Sequence, residues 1–257
     1  MWFLSARWRP LVSQLVLREI KSRYKQSILG YAWVILNPFF QMLVMTFVFS
    51  LVIRVSSLGV PYAIFLYVAL LPWNLFANSL THSTNSLVSN AQLIKKIYFP
   101  RELFVIATIA AKVVDFTLAS SILVLFMLYF RVHVNLNLLW VFPIFGIQLL
   151  FTYGLALVLA ALNLLYRDIQ YLLNLVILLW MYLTPVLYPM EMVPDQYRFI
   201  FRLNPMAVLI NAYREVIING GVPKLSSLLI AFGTSILTVL FGTWFFKKLE
   251  RIFADVV

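Results

Sequence analysis

The sequence predicts an all-α integral membrane protein: six transmembrane helices, an N-terminal amphipathic interface helix before them, and short re-entrant helices between the fifth and sixth spans. Three observations carry this. Hydrophobic residues make up 63% of the 257 residues and charged residues 11%, whereas a soluble domain is about half apolar and a quarter charged. Too few polar side chains remain to cover a water-facing surface. The apolar residues come in continuous runs long enough to cross roughly 30 Å of hydrocarbon as helices, not in the short alternating segments of an outer-membrane barrel. The net charge of +11 gathers at the ends of those runs, which points to anionic lipid headgroups as its partner and away from nucleic acid.

Residues 1–30 form the first unit, a cytoplasmic interface helix. Pro10 is placed to open it. Gln14, Arg18, Lys21 and Lys25 share one helical face, and Val12, Val16, Ile20 and Tyr24 share another. Such a helix lies along the membrane interface, either as a plain anchor or as a contact with a partner. The stretch lacks the apolar core and small-residue cleavage site of a signal peptide, so insertion is expected to rest on the first span.

Residues 31–257 form the transmembrane unit, with spans expected at about 31–53, 61–80, 103–130, 138–165, 169–188 and 225–246. An even count puts both termini on one side. That side then collects Arg9, Arg18, Lys21, Lys95, Lys96, Arg101, Lys247, Lys248 and further cations, about twice as many as the other. The excess predicts a multi-pass protein of the cell inner membrane with both termini cytoplasmic. On the other side, Pro185, Pro189, Pro194 and Pro205 break an otherwise apolar stretch. Residues 190–218 are therefore expected to form short helices dipping back into the membrane, with Asn204 capping one that opens at Pro205.

The connection at 90–102 is basic and amphipathic and ends in a proline turn. It is expected to project a short helix with Ile97, Tyr98 and Phe99 as apolar anchors, either for docking a partner or for the headgroups. Within the third span, Lys112 and Asp115 stand at i and i+3. Charges in a span are costly and face a protein interior. They read as a self-neutralising pair, the alternative being a proton or ion relay. Trp33, Tyr67, Trp73, Phe76, Trp180 and Tyr182 are candidates for lining a pathway, since aromatic faces stack on sugars; packing and lipid-facing roles compete for each of them.

Catalytic chemistry finds no foothold. The chain has no cysteine, no phosphate-binding G-x-x-x-x-G-K-[ST] loop and no paired-histidine metal spacing. His82 and His133 lie far apart near span ends. The expectation is a non-enzyme without catalytic residues, metal or cofactor of its own.

The stretch from Arg18 to Trp33, followed by Leu36-Asn-Pro38 and Thr46-Phe-Val-Phe-Ser50, resembles the start of the ABC-2 type permeases, within them the polysaccharide, O-antigen (Wzm-like) and teichoic-acid exporters. Leu93-Ile-Lys-Lys-Ile-Tyr-Phe-Pro-Arg-Glu102 is similar to that family's coupling helix, and Tyr166-Arg-Asp168 and Asn204-Pro-Met206 also match. The resemblance implies a homodimeric transmembrane domain resting on two copies of a separate ATPase, which would bind ATP and magnesium. Leu93, Ile94, Lys95, Lys96, Ile97, Tyr98, Phe99, Pro100, Arg101 and Glu102 would dock on it. The cargo would be a polysaccharide on a polyprenyl pyrophosphate lipid, with residues 190–218 gating its exit. Lys21, Arg23 and Lys25 are placed to attract the pyrophosphate.

Overall fold

A computed structural model describes residues 8–24, 27–55, 60–96, 99–132 and 135–253, with Arg23 and Tyr24 described in their backbone alone. Regular structure among these residues is entirely helical. In chain order the helices are α1 (Arg9–Tyr24), α2 (Ala32–Thr46, continued by a π-helical turn, Phe47–Val52), α3 (Tyr62–Ser89), α4 (Ala91–Lys96), α5 (Glu102–Tyr129), α6 (Val141–Leu165, after a 3-10 turn, Leu136–Trp140), α7 (Ile169–Tyr182), α8 (Arg198–Leu203), α9 (Pro205–Ile217) and α10 (Leu225–Glu250).

Among the described residues, five helical stretches are long and apolar enough to cross a membrane: 32–52, 62–89, 102–129, 136–165 and 225–250. The expected 169–188 span differs. Its helix stops at Tyr182 after 14 residues, a rise of only about 21 Å. Pro185 has no N–H and turns Thr184 away from helical geometry. The chain continues to Tyr188 as a turn in which Thr184, Val186 and Leu187 are buried. The second span runs longer than expected, because its polar tail stays helical. Thr81 and Thr84 hydroxyls donate to the carbonyls of Ala77 and Leu80 one turn back, so they bring their own partners into the interior.

Hydrogen bonds between elements sort the bundle into two ends. At one end, Arg18 Nη2 on α1 donates to Asn90 Oδ1 after α3. There too Asn163 Nδ2 near the end of α6 donates to Thr84 O (3.0 Å) and Asn85 Oδ1 (3.1 Å), and its Oδ1 accepts from Gln170 N as α7 begins (3.1 Å). At the opposite end, Tyr62 Oη at the start of α3 donates to Leu187 O (2.6 Å), and Asn135 and Asn137 amides donate to Gly220 O (2.7 Å each). The segment from Gln170 to Leu187 therefore runs from one end of the bundle to the other.

α3 is the core helix, buried around most of its circumference. It carries Pro72, whose carbonyl accepts from the buried Gln148 Nε2 of α6 (2.7 Å). Gln148 Oε1 in turn accepts from Tyr213 Oη of α9 (3.0 Å), so one amide ties three helices. α10 buries one narrow stripe, Leu228, Ala231, Ser235, Gly242 and Phe246, and leaves Leu229, Leu237, Leu240 and Trp244 exposed. An apolar exterior of this kind suits lipid. α6 and α10 meet at glycines. A Cβ added to Gly154 would stand 2.5 Å from the Thr238 carbonyl carbon and 2.6 Å from Val239 N, and one on Gly242 would strike the Gly154 carbonyl. Small residues of this kind let membrane helices approach backbone to backbone.

Candidate functional site

The 90–102 segment does not stand free. Ile94 and Phe99 are buried within the chain, Phe99 at 7% exposure with its ring edge-on to Phe104 at 5.2 Å. Arg101 fastens the segment to the far end of α10: its Nη1 donates to Glu250 O (2.5 Å), and its guanidinium lies 5.8 Å from the Phe253 ring centroid. Phe253, wholly buried, packs edge-on to Phe246. Glu102, which opens α5, is also buried, and its Oε1 accepts no hydrogen bond from the described residues. The apolar-anchor reading is corrected for Phe99, which is an internal anchor. Ile97 and Tyr98 lie outside the described residues. What the segment turns outward is Gln92, Lys95 and Lys96, with Leu93, Pro100 and Arg101 half-buried.

α1 packs along α5 beside this segment, burying Leu15 and half-burying Leu11, Val12, Val16 and Ile20. Lys21 is exposed on the opposite face. Of its two sequence partners, the Arg23 side chain and Lys25 lie outside the described residues.

Lys112 and Asp115 are together, Nζ to Oδ2 at 3.5 Å. They line a cavity of about 530 Å³ between α2, α3 and α5, which Trp33 also lines. His82 lines the same cavity, and His133 lies outside the described residues. The other aromatic candidates separate. Tyr67, Trp73 and Phe76 are core residues. Phe76 stacks on Phe151 at 5.7 Å and meets Trp180 edge-on at 5.1 Å, and Tyr67 Oη donates to Ala119 O (3.1 Å). Trp180 is half-buried and Tyr182 is exposed.

The end opposite α4 is organised by two side chains. Arg214, buried on α9, donates to the carbonyls of Pro185 (2.5 Å), Val186 (2.7 Å), Tyr188 (3.4 Å) and Phe65 (3.4 Å). Its guanidinium lies 3.7 Å from the Phe65 ring centroid. Three of those carbonyls lie in the turn that follows α7, so a fixed cation supplies the bonds that a continued helix would have given them. By the even span count Arg214 is one of the cations on the side away from the termini. A lone arginine in an apolar amphipathic helix was the available signal.

Asn204 does the same for the start of α9. Its Oδ1 accepts from Met206 N (3.1 Å) and Trp180 Nε1 (3.1 Å), and its Nδ2 donates to Leu183 O (3.2 Å) and Thr184 Oγ1 (2.9 Å). The expected cap is there, with α7 bound to it. Asn204→Ala is expected to cost about 2–4 kcal/mol, the loss of a cap plus unpartnered buried groups. Asn204→Asp should lose less, since both acceptor bonds survive. Thermal unfolding of the detergent-solubilised protein measures both.

Among the described residues this arrangement holds no group of three or more His, Asp or Glu side chains that could bind a metal. It has an exposed basic step at one end, a cation-pinned broken helix at the other and a polar cavity within the spans. Known proteins are similar to this chain in sequence. The chain is 35% identical over 241 residues to the O-antigen export system permease protein RfbA of Klebsiella pneumoniae, covering 93% of this chain and 92% of that one. It is 32% identical over 256 residues to the RfbA of Myxococcus xanthus (97% and 96%). It is 23% identical over 248 residues to the polysialic acid transport protein KpsM of Escherichia coli (93% of each). The family model for the ABC-2 type transporter matches residues 10–218, which take in α1, the 90–102 segment and the Arg214 network together, and on that match the chain belongs to the ABC-2 type transporter family.

Proposed function

We propose that this chain is the membrane subunit of an ATP-driven exporter that moves a polyprenyl-pyrophosphate-linked polysaccharide of O-antigen type across the inner membrane. The carrying observation is full-length similarity, above 30% identity, to permeases named for O-antigen export. Two copies of the chain sit on two ATP-binding subunits, which hold ATP and magnesium. Both termini are cytoplasmic. Six crossings are supported by the course of residues 170–187, which link Asn163 at one end to Tyr62 at the other. Residues 190–218 form the exit gate. Their re-entrant course is supported by Asn204 bonding to α7 while Gly220, after α9, bonds to Asn135. Lys21, Arg23 and Lys25 attract the lipid pyrophosphate.

Residues 93–102 dock on the ATP-binding subunit. The exposed lysines support an electrostatic contact, while the anchoring of Arg101 to Glu250 supports a direct path for force into α10 as well as α5. Reversing Lys95 and Lys96 together to Glu is expected to weaken co-purification at least about tenfold, because rim charges govern encounter and salt dependence. The folded yield should not change, since both side chains are exposed. Unchanged association at matched yield would count against docking through this segment.

A further inference from the structure

The polar residues around the 530 Å³ cavity follow helical spacing. Trp33, Asn37 and Gln41 stand at i, i+4 and i+8 on α2, and Asn74, Asn78 and His82 repeat that spacing on α3. Each set makes a polar stripe along its helix, and the two stripes face one cavity whose α5 wall carries Lys112 and Asp115. Asn74 Nδ2 donates to Gln41 Oε1 across it (3.0 Å), while Asn37 and Asn78 are exposed. Lipid offers an amide no hydrogen bond, so polar side chains in a span face water, protein or ligand.

We propose that this cavity binds sugar units of the cargo in the half of the membrane nearer α4, an assignment that rests on the polysaccharide-export reading. Four carboxamides each donate and accept, as vicinal hydroxyls require. The Trp33 ring supplies a flat apolar face for the C–H side of a sugar. The lysine and aspartate on the α5 wall pair with each other, so the described residues that line the cavity offer no net charge to hold a phosphate. Its volume is that of a small-ligand site. His82 is seven residues from the end of α3, a rise of about 10 Å, so the site is reached from the α4 end.

The chain has no cysteine, which makes the test direct. Asn37→Cys, Asn78→Cys and, as a lipid-facing control, Leu125→Cys are each reconstituted with the ATP-binding subunit in nanodiscs. They are then treated with a charged, water-soluble maleimide. The two cavity positions should react and the control should not. Saturating lipid-linked glycan should slow the cavity reaction at least about fivefold, as occupancy of a site requires, and bare polyprenyl pyrophosphate should not. Equal protection by both lipids would overturn the sugar assignment in favour of the pyrophosphate. Labelling without protection, while the glycan lipid still stimulates ATP hydrolysis, would overturn the site and leave the export reading standing. No protection, together with no stimulation of the unsubstituted chain and its ATP-binding subunit, would remove the export reading itself. Absence of labelling, with disulfide crosslinking between two copies through Asn78→Cys, would assign the face to the dimer contact.

Discussion

Arg214→Met should unfold the end of the protein opposite α4. The substitution keeps length and apolar bulk but removes every donor, leaving the carbonyls of Pro185, Val186 and Tyr188 without the bonds that Arg214 gives them. A buried group left unsatisfied costs about 1–3 kcal/mol, and bonds to a charged donor are the stronger kind. The expected loss is on the order of 4 kcal/mol, enough to abolish a monodisperse folded fraction in many membrane proteins. Arg214→Lys should fall between, because one ammonium cannot reach carbonyls spread over the width of a guanidinium fork. Phe65→Leu should cost less again, removing only the ring under the guanidinium. Unfolding midpoints in detergent rank the three. A methionine variant as stable as wild type would show that the 183–188 turn holds itself.

Gly154→Ala should be nearly as damaging, and a larger residue at Gly154 or Gly242 should prevent α6 and α10 from seating. The added carbon would meet Thr238 and Val239 backbone at 2.5–2.6 Å, and backbone in a packed helix cannot swing aside as a side-chain tip can. Overpacking a core costs typically about 1–3 kcal/mol, and separating two helices along their contact takes it to the upper end or beyond. The chain carries its own controls. Gly146 and Gly233 sit on the same two helices with nothing within 4 Å of an added Cβ. Alanine there should be neutral or stabilise by up to about 1 kcal/mol, through helix propensity. Equal effects at all four glycines would show that the contact is not close-packed.

Much of this architecture is written in local sequence, and what is missing is non-local. Continuous apolar runs place four of the five long helices within a few residues and the start of the other, α3, whose polar tail they miss, and Pro10, Asn204 and Pro205 mark helix starts where helices begin. The fifth run misleads because hydropathy measures burial and not conformation: Leu183 to Leu187 is apolar enough for a span yet turns at Pro185. Phe99 looks like a projecting anchor until α10 brings Glu250 and Phe253 to its neighbour Arg101, some 150 positions away in the chain. Arg214 finds its carbonyls in the turn after α7 and on α3. Tyr67, Trp73 and Phe76 share the composition of a lined pathway, and only the packing of α3 on α6 and α5 assigns them to the core. The i, i+4 spacing of the amide stripes is local to each of α2 and α3, although the hydropathy runs pass over it. Their facing each other is not local.

The central claim is that this membrane subunit exports a lipid-linked polysaccharide on energy supplied by a separate ATPase. Purified chain and ATP-binding subunit in proteoliposomes, loaded with lipid-linked glycan on the outer leaflet where the ATPase also faces, test it directly. Lectin protection then measures how much glycan has reached the lumen. The account predicts translocation that needs both subunits and hydrolysable ATP, and that collapses to background without either. Translocation by the chain alone, driven by a proton gradient and lost on Asp115→Asn, would contradict it.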